Sequence, residues 1–296
     1  MREIIEDDIQ PIHDLIDKVL NRNDISMIKR LGGLTNHSYK VELEDGSQYV
    51  VRLPGVGTEE LINRNDEKVS TELACSLGID AKLLYFGEDG AKVTEYIKDA
   101  RTLDALGLRE EKTIKDVANI FKTLHSCHQD THVPFEVFDM AKGYEDIISS
   151  YHVEMYDDYL DIKNKVMKIK EKVDQDSVIE KVPCHNDSLC ENWVYGDRLY
   201  LIDWEYAGMN DGMWDLADVS IEADYSEEND DLLLESYLGK KPTLIEKQRF
   251  IANKLYLDYL WTLWGKTRVP FDGQEMEDYA YNRYVRLKEN LKKFEG

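Results

Sequence analysis

The sequence predicts an α+β chain in two lobes, a small β-rich lobe over residues 1–97 and a larger, mainly helical lobe over residues 98–296. Three observations carry this. Alternating apolar residues flank Asp-Gly turns early in the chain, and apolar residues recur at helical spacing later. At ~150 residues per domain, 296 residues also suggest about two compact units.

Each element has a local reason. Ile5, Ile9, Ile12, Ile16, Val19 and Leu20 give residues 1–23 a helical apolar spacing. Tyr39, Val41 and Leu43 alternate before Asp45-Gly46, and Tyr49, Val51 and Leu53 alternate after it, which is a hairpin signal. Residues 59–77 return to a helical pattern that stops at Gly78. Two strands follow near 82–86 and 91–96, around Glu88-Asp89-Gly90. From Thr113 to Asp130, Ile114, Val117, Ala118, Phe121 and Leu124 share one helical face. Two more helices are expected within 141–173. Residues 182–203 interrupt the helices with β-like pieces, Asn192–Tyr195 and Arg198–Ile202, joined at Gly196-Asp197. Thr243-Leu244-Ile245-Glu246 is a capping box that opens a long helix to about Gly265, and a last helix covers about 275–293.

Composition narrows the function classes. The chain is 42% hydrophobic and 33% charged, above the ~25% usual for soluble domains. Lys plus Arg is 37 against 60 Asp plus Glu, a net charge of -23. Such a surface repels phosphate backbones, which argues against general nucleic-acid binding. It attracts small cations. It also repels ATP, so a nucleotide site here must supply local positive charge and a metal. No apolar run reaches the ~20 residues of a membrane span, and the acidic start lacks the features of a secretory signal. Cys75, Cys127, Cys184 and Cys190 form no Cys-x-x-Cys and no zinc-like spacing with histidine, so a reduced, cytoplasmic chain is expected.

The chemistry concentrates in the interrupting hairpin. His185-x-Asp187-x4-Asn192 is followed eleven residues later by Asp203, at the end of an apolar strand. Phosphoryl transfer from ATP wants these residue types. One carboxylate, Asp187, orients an acceptor hydroxyl and takes its proton. An amide oxygen, Asn192, and a second carboxylate, Asp203, hold Mg²⁺ against the phosphates. The first lobe offers further parts. Gly32-Gly33-Leu34-Thr35-Asn36 lies between strands, where small residues let backbone amides approach phosphates. Arg52 on the third strand can grip phosphate, and Glu67 or Glu72 on the following helix can pair with it. The strand ending Val93-Thr94-Glu95-Tyr96-Ile97 leads out of the lobe, with backbone able to meet adenine.

These residues resemble the choline/ethanolamine kinases, within the group similar to aminoglycoside phosphotransferases, with the nearest likeness to bacterial choline kinases. The carrying segments are Leu31–Asn36, Leu61–Glu67, His185–Asp187 and Leu199–Tyr206. To these add Asn210-Asp211, Met213–Ala217, Leu260–Trp264 and Asn282–Tyr284. The resemblance implies a protein-kinase-like fold, ATP with Mg²⁺, and transfer of the γ-phosphate to choline. It implies Asp187 as base, Asn192 and Asp203 as metal ligands, and Asn36, Arg52, Glu67, Glu95 and Ile97 on the nucleotide side. Tyr206, Glu222, Trp261, Trp264 and Tyr279 fall near choline-pocket positions of relatives. One departure is Ser188, which follows Asp187 where relatives usually carry an apolar residue.

The pocket has a physical rationale of its own. A trimethylammonium group is recognised by aromatic faces and a nearby carboxylate. Trp261 and Trp264, three apart on a helix, share a face. A different acceptor, such as ethanolamine, an aminoglycoside or another small amino alcohol, would need hydrogen-bond acceptors instead. A non-catalytic scaffold would be expected to have lost Asp187, Asn192 or Asp203, and all three are present.

Overall fold

A computed structural model describes residues 4–31, 36–55 and 62–295. The expected glycine-rich loop at 32–35 lies outside the described residues. Contacts divide the chain into two units. The first is Met1–Leu103 with Glu191–Ala207, and the second is Asp104–Cys190 with Gly208–Gly296. The first boundary falls between Leu103 and Asp104, and the hairpin carrying Asn192 and Asp203 folds with the first unit although it is embedded in the sequence of the second.

The first unit opens with α1 (Glu6–Leu20), then β1 (Ile25–Arg30), β2 (Asn36–Leu43), β3 (Gln48–Pro54), α2 (Arg64–Ser76), β4 (Leu83–Phe86), β5 (Lys92–Glu95) and β6 (Arg101–Thr102). The five strands β1 to β5 form an antiparallel sheet in the order β1-β2-β3-β5-β4. The alternation read in the sequence becomes register: Tyr39 pairs with Val51, and Val51 with Val93. Ile12 and Ile16 of α1 close over the face made by Tyr39, Val41, Leu43, Val51, Leu53 and Val93. Full burial of each such side chain is worth about 1.5–3 kcal/mol. Gly46 turns the hairpin at φ 82, and Gly78 ends α2 at φ 70. Asn63 caps α2 by accepting the Asn65 N–H.

The second unit contains α3 (Ala105–Leu108), α4 (Glu111–His125), α5 (Val137–Ser150), α6 (Tyr159–Asp176) and β7 (Lys181–Cys184). Next come β8 (Trp193–Tyr195) and β9 (Leu199–Leu201), which belong to the first unit and join β6 in a sheet ordered β6-β8-β9. The second unit resumes with β10 (Gly208–Asp211), α7 (Gly212–Glu222), α8 (Glu227–Leu238), α9 (Leu244–Asp272) and α10 (Gln274–Glu295). β7 pairs antiparallel with β10. α9 is the axis of this unit, packing on α10, α7, α5 and α6. Its Thr243 box is present, with Glu246 N–H on the Thr243 hydroxyl and Thr243 N–H on the Glu246 carboxylate.

The long helix runs past its expected end near Gly265 to Asp272. Gly265 is a packing residue, not a stop. A Cβ there would lie 2.9 Å from Tyr279 Cδ1 and 3.0 Å from the Ala280 Cβ, so its absence lets α10 approach closely. Among the described residues, no helix is long and apolar enough to cross a membrane.

Candidate active site

In the first unit, Arg52 on β3 and Glu67 on α2 form the expected pair, Nη1 to Oε1 at 2.5 Å. Both side chains are buried. Arg52 also donates to the Gly90 carbonyl at 3.0 Å and lies 3.5 Å from Asp203 Oδ1. Burial alone would lower the Arg52 pKa, but Glu67, then Asp203 and Glu205, raise it above its ordinary value. Burial would likewise raise Glu67, yet the charge and hydrogen bond of Arg52, with Lys92 and Arg64, hold its carboxyl below the usual 4.5. The alternative partner, Glu72, is instead 3.9 Å from Lys68.

Two residues join this network whose roles were not read from the sequence. Arg64 bonds Glu67 Oε2 at 2.7 Å and Asn36 Oδ1 at 3.3 Å. Glu205 accepts from Asn36 Nδ2 at 3.0 Å. Burial, then the neighbouring Asp203 charge, pushes Glu205 up to about 7. Gly90, at φ 89, is required twice over, because a Cβ there would come within 2.6 Å of Arg64 Cδ and Nε. Glu205 stands two residues after Asp203 within Leu199–Tyr206, and that proximity is the signal for it in the sequence.

Asp203 follows β9 in the left-handed backbone region, φ 70, and its side chain is 38% exposed. Asn192 ends a short 3₁₀ turn (Cys190–Asn192), and its carbonyl takes the Ile202 N–H at 3.0 Å, which ties the two segments together. A carboxylate and an amide oxygen are the hard oxygen donors that Mg²⁺ takes, and an exposed carboxylate leaves room for the waters that ion keeps. The donor set therefore fits Mg²⁺. Of the residues expected to bind nucleotide, Glu95 is paired at the surface with Lys82, and its N–H goes to the Lys82 carbonyl. Ile97 lies two residues beyond β5, half-buried. Tyr206 also belongs to this unit.

In the second unit, Asp187 lies on a loop after β7 that α7 holds by its backbone. Asp215 takes the His185 N–H on one carboxylate oxygen and the Asn186 N–H on the other, both at 2.8 Å. Asp218 takes the Ser188 N–H. Asn186 is left-handed at φ 67, with its carbonyl bonded by Trp214 Nε1 at 3.1 Å and its side chain by Asn210 at 2.9 Å. His125, Cys184 and Asp215 converge nearby with ligand atoms within 4.8 Å. This is a hydrogen-bond node and not a metal cage. His125 Nε2 is on Asp215 at 3.0 Å, its Nδ1 is on Tyr237 at 2.9 Å, and both Asp215 oxygens are engaged.

The aromatic residues expected at the acceptor side assemble on α9 and α10. Trp261 meets Trp264 edge-on at 6.0 Å, and Trp264 meets Tyr279 edge-on at 5.8 Å. Trp261 is only 5% exposed and buttresses Trp264, which is half-buried. Glu222, the last residue of α7, pairs with Arg283 at 2.6 Å, and Arg283 lies over the Tyr279 ring at 5.1 Å. Burial pushes the Tyr279 phenol up to about 12; Arg283 opposes this, and the charges of Glu222 and Asp187 reinforce it.

The sequence profile of the choline/ethanolamine kinases matches residues 27–279. The LicA protein of Haemophilus influenzae is 30% identical over 262 residues, covering 86% of this chain and 76% of LicA. A probable ethanolamine kinase of Arabidopsis thaliana is 27% identical over 301 residues, covering 87% and 77%. Among solved structures, a choline/ethanolamine kinase family protein of Mesorhizobium loti superposes with a TM-score of 0.84 at 28% identity, covering 95% of this chain and 94% of that one. The choline kinase LicA of Streptococcus pneumoniae gives 0.80 at 32%, covering 96% and 98%. Matched nearly end to end by these kinases, the fold is two-lobed and protein-kinase-like, and the chain belongs to the choline/ethanolamine kinase family of phosphotransferases.

Proposed function

We propose that this enzyme transfers the γ-phosphoryl group of ATP to the hydroxyl of choline, giving phosphocholine and ADP. The observation that carries the choice of acceptor is the packed run of Trp261, Trp264 and Tyr279 on the last two helices. A quaternary ammonium donates no strong hydrogen bond and is held by π faces and a nearby negative charge. The chain's net charge of -23 draws such a cation from a distance.

The residues divide the work. Asp187 orients the choline hydroxyl and accepts its proton as the oxygen–phosphorus bond forms and the bond to ADP breaks. Asn192 and Asp203 would hold Mg²⁺. When bound, Mg²⁺ neutralises charge on the phosphate oxygens. Arg52, kept in place by Glu67, adds positive charge on the nucleotide side, where Asn36 and the backbone around Glu95 and Ile97 complete the binding. Trp264 and Tyr279 offer aromatic surface to the ammonium, Tyr206 is assigned the same role, and Glu222, paired with Arg283 at 2.6 Å, acts on the pocket through that pair. Most of the acceleration then comes from alignment and electrostatic stabilisation. The spacing of the four cysteines in the sequence suits a cytoplasmic enzyme, where ATP is at hand.

Ethanolamine is the second reading, favoured by the Arabidopsis relative and by the carboxylates near the aromatic set. A coupled ADP-release assay with choline, ethanolamine and kanamycin in parallel tests the choice. Choline is expected to give the highest kcat/KM. A higher value for ethanolamine would hand the site to a primary amine.

A further inference from the structure

We infer that Asp218 is a positioning residue for the Asp187 carboxylate, acting with Asp215 as a two-carboxylate clamp on the backbone at either side of it. The inference rests on Asp187 being the base. α7 presents Asp215 and Asp218 three residues apart, on one face. Asp215 holds the amides of His185 and Asn186, before Asp187, and Asp218 holds the amide of Ser188, after it. Three of the four residues 185–188 therefore donate their N–H to one helix. Asp218 is 1% exposed and Ser188 fully buried, so an N–H released there finds no water. The loop would shift before it left that donor unmet. On the near side, Asn186 is fixed at its N–H, its carbonyl and its side chain. On the far side Asp218 takes the Ser188 N–H.

The protonation of Asp218 fits this role. Burial, then the charges of Glu222 and Asp187, pushes its carboxyl well above the usual range, against the pull of the Ser188 N–H and Arg283. A neutral carboxyl still offers its carbonyl oxygen to Ser188. An amide is therefore a faithful substitute, and an apolar isostere is not. The rival role for Asp218 is to attract the cationic acceptor by its charge. The two roles move different constants: placement moves kcat, and attraction moves KM for choline.

The test compares Asp218→Asn and Asp218→Leu in the full-length enzyme by ADP release, with choline and ATP each varied. Asp187→Ala is run alongside. Asp218→Leu is expected to lower kcat by about 100-fold, the effect of a ~1 Å misplacement, with both KM values within about threefold of wild type. Asp218→Asn should restore kcat to within about threefold. Equal losses in the two variants, or a raised choline KM with kcat intact, would overturn the clamp. Near wild-type turnover by Asp187→Ala would sink the base assignment itself. An inactive Asp187→Ala beside a fully active Asp218→Leu would sink only the clamp. Should Asp218→Leu not fold, Asp218→Ala is read the same way. Amide hydrogen exchange at Ser188 of the wild-type enzyme answers without any substitution: strong protection supports the clamp, and exchange at the free-peptide rate refutes it.

Discussion

Replacing Glu67 with alanine removes the acceptor of two buried guanidinium groups at once. Arg52 loses its 2.5 Å contact and Arg64 its 2.7 Å contact. Breaking a buried ion pair from one side costs ~3–5 kcal/mol, because a desolvated charge is left behind. Arg52 retains the Gly90 carbonyl at 3.0 Å, and Arg64 retains Asn36 at 3.3 Å, which sets the loss toward the lower end, about 3 kcal/mol. At ~2–4 °C per kcal/mol for a chain of this size, Tm should fall by about 6–12 °C at pH 7. The pH dependence has a definite sign. The folded Glu67 pKa is depressed below 4.5, so the stability it contributes is complete above that value and is lost as pH falls below 4.5 through the folded pKa. Glu67→Ala should therefore show a shallower acid limb than wild type. Freed from Glu67, Arg52 turns toward Asp203, already 3.5 Å away, and competes with phosphate and metal for position. KM for ATP should rise about 10-fold, equivalent to ~1.4 kcal/mol, with KM for choline unchanged. Thermal melts from pH 3.5 to 7 and ADP release with ATP varied read both effects. An unchanged Tm with an unchanged acid slope would refute the reasoning.

Three further outcomes are expected. Trp264→Ala should raise KM for choline by about 2–30-fold, the range of one cation–π contact of ~0.5–2 kcal/mol, and leave KM for ATP alone; equal changes in both would assign the indole to packing. Gly265→Ala should destabilise by about 1–3 kcal/mol, because its Cβ would press on Tyr279 and Ala280, and should raise the choline KM as Tyr279 is displaced; a melting curve no lower than wild type would contradict the close approach of α10. Chelating divalent ions should abolish turnover, and adding back Mg²⁺ should restore it. Asn192→Ala should raise the Mg²⁺ concentration needed, and an unchanged requirement would remove Asn192 from the metal site.

Much of this was legible in the chain because it is local. Asp45-Gly46, Gly78 and the Thr243 capping box each encode a turn or terminus within a few residues. The Asp187, Asn192 and Asp203 spacing lies within one segment, which is why the proposed phosphoryl-transfer set could be read there. What stayed hidden is non-local or lacks a period. α7 is buried on every side from Gly212 to Ile221, so it has no polar face to betray a helix, and its carboxylates look like surface residues in sequence. β7 and β10 are four residues each and pair across an intervening hairpin. Gly265 reads as a helix end, since a missing Cβ looks alike whether it serves a cap or a close contact. Arg64 and Glu205 join Asn36 from opposite ends of the chain, and no spacing rule links them. The hairpin at 191–207 sides with the first unit because Leu201 N–H reaches the Ile79 carbonyl and Leu103 N–H reaches that of Trp193, contacts that sequence order conceals.

The central claim is tested most directly by following phosphorus. Wild-type enzyme and Asp187→Ala, each shown to be folded by its melting curve, are incubated with ATP, Mg²⁺ and choline, and the products are read by ³¹P NMR. Growth of a phosphomonoester signal matching phosphocholine with wild type, slowed at least about 100-fold by the substitution, is the predicted result. Formation of phosphocholine at a similar rate by both proteins, or by neither, would contradict it.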